Sequence, residues 1–233
     1  GAIPGILRAY LGTSEVIVTI MMNYIILYVA NNIIRFGFTA DMLRSSEASN
    51  KVVASASYQT EFLSQITGGS RFNIGFFLAL AAAFLVWFLL KKTTTGFEIT
   101  SVGLNPHASE YAGMSSKRVI IMSMIISGAL CGLGGTVEGL GTFQNAFVQN
   151  SSLAIGWNGM AVALLASNSP IGIPFAALLY GVLSIGKSGM IGVPSEIIDV
   201  VSALIIFFVG ANYIIRYWVR PRHKSVKAKG GQN

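Results

Sequence analysis

Residues 91–118 read KKTTTGFEITSVGLNPHASEYAGMSSKR. This polar segment lies between two apolar runs, each long enough to cross a bilayer. Lys91 and Lys92 close one edge; Lys117 and Arg118 close the other. Basic pairs at both edges of a short loop predict a cytoplasmic position. Its middle carries Asn105-Pro106, a helix-compatible stretch His107–Tyr111, and Ala112-Gly113. Proline suits the first turn of a helix and glycine its end. The segment is therefore expected to hold one short helix parallel to the membrane surface, presented to something outside the bilayer.

Composition agrees with a membrane chain. Hydrophobic residues make up 53% and charged residues 11%, with a mean hydropathy of +0.64; soluble domains carry about 25% charged residues. The net charge of +7 is unevenly placed. Arg216, Arg220, Arg222, Lys224, Lys227 and Lys229 crowd the last residues with no acid among them. Such a tail suits anionic lipid on the cytoplasmic side rather than nucleic acid. Cys131 is the single cysteine, which excludes an internal disulfide and any multi-cysteine metal site. His107 and His223 stand far apart, with no ligand partners at metal-binding spacing.

Outward from this segment, six apolar runs emerge: Val16–Ile34, Ile74–Leu90, Val119–Val137, Ile155–Ala166, Ile171–Ile185 and Ile197–Ile215. The fourth and fifth are short, and the turn Asn168-Ser169-Pro170 between them predicts a helical hairpin, with the fourth span broken or partly re-entrant. The expected fold is an all-α integral membrane protein with about six transmembrane helices. Residues 1–215 form the membrane domain and 216–233 the basic cytoplasmic tail. Both termini of the chain are expected inside. Residues 36–72 then form an external loop, and Lys187–Pro194 a shorter one. In the third run Ser123, Ser127, Cys131, Gly135 and Gly139 recur every four residues, a face suited to close helix packing.

Gly181–Ser188, GVLSIGKS, matches the phosphate-loop spacing but lacks its context. That chemistry needs a strand before the loop and a helix after it; here the preceding residues belong to an apolar run. Polar groups in or beside the spans carry more weight. Asn23 falls inside the first run, Glu138 closes the third, and Phe143, Gln144 and Asn145 follow it. Trp157 and Asn158 open the fourth run, and Glu196 and Asp199 open the last. Asn23 serves equally well as a cavity group or as a bridge between helices. The acids suit an interface or a helix N-terminus.

Several blocks then resemble one family in order and spacing: EVIVTIMMNYI (Glu15–Ile25), GFEITSVGLNPHASEYAGM (Gly96–Met114), ISGALCGLGG (Ile126–Gly135), GMAVALLASNSPIGIPFAALLYG (Gly159–Gly181) and IIFFVGANY (Ile205–Tyr213). They resemble the permease subunits of bacterial ABC importers, in the branch serving nucleosides and simple sugars and related to branched-chain amino acid and ribose permeases. The resemblance implies a multi-pass protein of the bacterial plasma membrane, here the C-terminal two-thirds of a longer permease. It implies a pathway for nucleosides, with ribose or another simple sugar as the runner-up. It also implies a separate cytoplasmic ATPase, a second permease subunit in a heterodimer, an extracellular or periplasmic substrate-binding protein, and no cofactor or enzymatic activity in this chain. Carried over, the ATPase-coupling segment is Asn105, Pro106, Ala108, Ser109, Glu110, Tyr111, Ala112 and Gly113. The pathway would draw on Asn23, Glu138, Phe143, Gln144, Asn145, Trp157 and Asn158. The chain departs from the usual pattern at Thr100 and Ala108-Ser109, which bears on which ATPase it accepts. A rival of another class is an ion-coupled secondary transporter using Glu138 or Asp199.

Overall fold

The computed structural model describes residues 1–39, 42–45, 47–66, 68, 72–151 and 155–189, with single helical positions at Ile197, Val200, Ala203, Leu204 and Phe207. The chain divides into two units, residues 1–154 and 155–233.

In the first unit, α1 (Ala2–Leu11) turns through Gly12 into α2 (Glu15–Asn32). Gly12 takes a φ of 66°, the left-handed conformation that glycine adopts without strain. The turn is pinned by an Arg8–Glu15 ion pair at 3.1 Å and by the Arg8 guanidinium donating to the Thr13 carbonyl. α2 ends in a π turn, Ile33–Gly37. α4 (Gly75–Lys92) carries Lys91 and Lys92 in its last turn, where cations offset the partial negative charge of a helix C-terminus. α7 (Ser116–Thr136) also ends in a π turn, Val137–Phe143. With their π turns, α2 and α7, together with α4, are the three helices long and apolar enough to cross a membrane among the described residues. Among the described residues, the buried hydrophobic side chains are Pro4, Ile34, Val102, Val119, Val162 and Ala176, and none is fully enclosed. Such helices associate through close backbone approach rather than an apolar core.

Close approach is visible between α1 and α7. A methyl group on Gly5 would stand 3.0 Å from Met124 Cβ, and one on Gly128 would stand 2.9 Å from Gly1 Cα. At the other end of α1 the Lys117 ammonium lies 5.2 Å from the centre of the Tyr10 ring. The two helices are therefore antiparallel. The row of small residues on α7 divides accordingly. Gly128 receives α1, whereas Gly132, Gly135 and Gly139 have nothing within 4 Å, and Cys131 is exposed. Gly1 sits beside Gly128, midway along α7; the turn after α1, not the N-terminus, lies level with the start of α7.

α4 and α7 are joined at one end by residues 93–115, which hold two helices where one was expected: α5 (Thr94–Leu104) and α6 (Pro106–Tyr111). Three consecutive threonines and Gly96 read as loop composition, yet the Thr93 hydroxyl works in both directions. It donates to the Leu89 carbonyl at 2.6 Å and accepts from the Gly96 N–H at 3.1 Å. One side chain thus closes α4 and caps α5.

At the opposite end lies a second layer. Two short strands pair there, β1 (Leu43–Ser45) and β2 (Ala48–Ser49), followed by a single 3₁₀ turn at Ala54–Ala56 and α3 (Glu61–Ile66). This stretch, expected as an external loop, lies against the segment that follows α7. Ser49 N–H donates to the Ala146 carbonyl, Val52 N–H to Gln144, Tyr58 N–H to Leu140, and Val148 N–H to Glu47.

The second unit contains α8 (Ile155–Leu165) and α9 (Gly172–Gly189). Ser167 and Asn168 take positive φ values of 52° and 56°, which reverses the chain between the helices as the Asn168-Ser169-Pro170 turn predicts. α9 runs through Lys187, so Gly181–Ser188 is helical throughout, with no strand before it; the phosphate-loop reading fails on this chain. Lys187–Gly189 belong to α9 rather than to a loop. Residues 190–196, most of the sixth run, Glu196, Asp199 and the basic tail lie outside the described residues.

Candidate functional site

The 105–114 segment is built from local rules. Asn105 Oδ1 accepts from the Ala108 N–H at 3.1 Å, and Pro106 occupies the first helical position. The segment closes on Gly113, whose φ of 84° allows Met114 N–H to reach the Ser109 carbonyl at 3.0 Å and Gly113 N–H the Glu110 carbonyl at 2.9 Å. Ser109 points inward: it is 5% exposed, and its hydroxyl donates to the Asn105 carbonyl. Ser116 fastens the other side, donating to the Pro106 carbonyl. The outward face is left with Ala108, Glu110, Ala112 and Gly113, all exposed, and with Tyr111, which is 95% exposed. His107, Glu110 and Tyr111 border a shallow cavity of about 410 Å³. A fixed, short-chained surface with one projecting aromatic ring can seat in a cleft of another protein with little entropic cost.

The residues expected along a pathway are spread over both units. Asn23 is exposed on α2. Glu138 lies in the π turn that ends α7, where the Thr142 hydroxyl donates to its carboxylate at 3.2 Å. Phe143 packs edge-on against Phe147, with ring centres 4.9 Å apart. Gln144 takes the left-handed conformation, and its amide donates to the Ser57 hydroxyl at 2.9 Å. Asn145 is half-buried beside it. Glu138, Phe143, Gln144 and Asn145 are thus brought together on one segment. Trp157 and Asn158 open α8 in the second unit, both exposed.

That segment is also held by residues the sequence did not single out. Asn31, at the end of α2, grips Gln149 twice. Its amide donates to the Gln149 carbonyl at 2.7 Å, and its oxygen accepts the Gln149 N–H at 3.0 Å. Gln59 donates to the Gly141 carbonyl, and buried Asn73 lies so close to Gly141 that any side chain there would have to displace the Asn73 amide. Asn73 Oδ1 also accepts from Gly75 N–H, starting α4. Asn31-Asn32 ending an apolar run was the available signal. Two π turns lie at this end of the unit, and such turns are frequent at functional sites. Among the described residues no group of three His, Cys, Asp or Glu side chains could hold a metal ion.

The profile of the family described as "Branched-chain amino acid transport system / permease component" matches residues 1–210. The nucleoside ABC transporter permease NupB of Lactococcus lactis subsp. cremoris is 51% identical over 232 residues, covering 98% of this chain and 64% of NupB. The guanosine ABC transporter permease NupP of Bacillus subtilis is 49% identical over 220 residues, covering 93% of this chain and 62% of NupP. A second Bacillus subtilis protein, the guanosine ABC transporter permease NupQ, is 36% identical over 104 residues, or 45% of this chain and 32% of its own length. The chain therefore spans less than two-thirds of the length of NupB and NupP. No solved structure matches it.

Proposed function

This chain belongs to the family of permease components of the branched-chain amino acid transport type, and from that premise we propose that it forms part of the translocation pathway of an ATP-driven importer of nucleosides. The observation that carries the substrate is the identity of about one half to NupB and NupP over nearly the whole chain. ATP hydrolysis belongs to a separate cytoplasmic subunit, and an external binding protein delivers the substrate. A second permease completes the membrane part, since the partial match to NupQ sets a distinct guanosine permease beside NupP in one organism.

The basic edges of 91–118 support a cytoplasmic position for α5 and α6. The α1–α2 turn then lies on the same side, and residues 43–66 and 140–149 face outward. Six crossings and a cytoplasmic tail against anionic lipid complete this topology. The ATPase contact is the exposed face of α6, with Tyr111 as its projecting side chain. Ala112→Trp tests that contact better than any change at Gly113, because every side chain strains a backbone with a φ of 84°. Ala112→Trp is expected to stop uptake while the permease remains inserted. The pathway draws on Asn23, the Glu138–Asn145 segment and Trp157-Asn158, whose amides and rings suit a neutral polar heterocycle. Because the binding protein supplies the affinity, these groups set rate and selectivity.

Uptake of labelled guanosine, adenosine, uridine and ribose, in a strain stripped of its own transporters and supplied with the whole system, tests the substrate. Nucleoside uptake without ribose uptake is expected. Ribose uptake alone would move the chain to the sugar branch.

A further inference from the structure

The end of α2 borders a cavity that none of the expected pathway residues touches. It holds about 310 Å³, at the lower end of the ~300–1,000 Å³ typical of small-molecule sites. Tyr28, Asn32 and Phe36 recur every fourth residue along α2 and its π turn, with Arg35 beside them, so one helix face lines one wall. Asn150 lies on the facing wall, and the double hydrogen bond between Asn31 and Gln149 fixes the two walls together.

The chemistry of the lining is specific. Tyr28 and Phe36 are 68% and 83% exposed, leaving ring faces available for stacking. The side-chain amides of Asn32 and Asn150 make no hydrogen bond among the described residues. Among the described residues of the lining, Arg35 is the one cation. Its pairing with Glu47 is long, at 3.9 Å, and both side chains are largely in solvent, so the guanidinium gives up little by turning to a ligand. Glu47 nevertheless balances the local charge, which favours a neutral ligand over a nucleotide.

Two parallel N–H donors of a guanidinium match two adjacent acceptors in one plane. A purine with a 6-oxo group presents such a pair, O6 and N7, on one edge; a 6-amino purine places a donor at the first position, and a pyrimidine lacks N7. We propose that this cavity is a recognition site for 6-oxopurine nucleosides, in which Arg35 reads O6 and N7, Tyr28 and Phe36 take the ring faces, and Asn32 and Asn150 bond the remaining polar edges. The assignment rests on the nucleoside reading of the permease and adds to it a base preference and the residue that sets it.

The test is uptake of labelled guanosine, inosine, adenosine and uridine by membrane vesicles holding the whole transporter, at concentrations below saturation and per inserted permease. In the wild type all four enter, with guanosine and inosine ahead. Arg35→Gln removes the fork and is expected to lower guanosine and inosine uptake by about tenfold, with adenosine and uridine within about twofold. Arg35→Lys keeps the charge without the fork, and its guanosine-to-adenosine ratio is expected to fall likewise. Should Arg35→Gln be lost from the membrane, the Arg35→Lys ratio alone decides. Equal loss for all four substrates, or an unchanged ratio, overturns the site and leaves the nucleoside reading standing. A wild type that admits none of the four removes both.

Discussion

The two ends of α4 and α7 are finished in opposite ways. At one end, residues 93–115 turn the chain with bonds that reach only a few positions. Thr93 bonds Leu89 and Gly96; Asn105 bonds Ala108; Gly113 lets Met114 reach Ser109. At the other end, the chain is closed by bonds between residues 82 to 118 positions apart: Gln59 to Gly141, Gln144 to Ser57, Ala146 to Ser49, and Asn31 to Gln149. The first end is a self-contained elbow. The second is a layer whose parts depend on one another. An elbow that folds locally can be pushed as one piece by a partner. A layer tied together by distant residues can hold a cavity open at the mouth of the spans.

The largest break in this contrast is expected at Gly96. A side chain there meets the Leu89 carbonyl and the Leu90 Cα, which are backbone and cannot move aside. Overpacking of this kind costs about 1–3 kcal/mol or more. Gly96→Leu should therefore sharply reduce protease-resistant permease in the membrane, whereas Gly103→Leu, with nothing within 4 Å, should be tolerated. Equal effects of the two would mean that the elbow does not depend on close approach.

The same contrast explains what the sequence made legible. The three long helices, the hairpin turn at Ser167-Asn168 and α6 with its caps are written in local signals: apolar length, paired lysines, Asn-Pro and Ala-Gly. α5 was missed because its start rests on the hydroxyl of Thr93, and a threonine run carries no such instruction until its neighbours are placed. Ser109 looked like part of an outward surface, since composition does not say which side of a short helix is covered. In the layer at the opposite end almost nothing was readable. Gln144 stood out as a polar group near a span, but its partner, Ser57, lies 87 positions away. Asn31 sits next to Asn32 with identical chemistry, and only folding makes one a clamp and leaves the other facing a cavity.

A smaller break is expected in the layer tied by distant residues. Asn31→Leu leaves the N–H and carbonyl of Gln149 without their side-chain partner, a loss of about 2 kcal/mol. Hydrogen exchange should quicken over residues 146–150 and leave α5 and α6 unchanged. Spread of the effect into 93–115 would show that the two ends are not independent. The smallest effect is expected from Asn105→Ala, which removes one cap worth about 1 kcal/mol. Exchange should rise at Ala108 and its neighbours in α6, with the layer over 140–149 unaffected.

The proposed division of labour, a pathway in this chain and an engine in another, is tested most directly by the energy source. The complete transporter is sealed in vesicles with labelled guanosine on the face that carries residues 43–66 and ATP on the face that carries α6. Uptake should require ATP, should stop with a non-hydrolysable analogue, and should persist when every ion gradient has been collapsed. Uptake that follows the gradient and ignores ATP would contradict the account and make this chain an ion-coupled carrier.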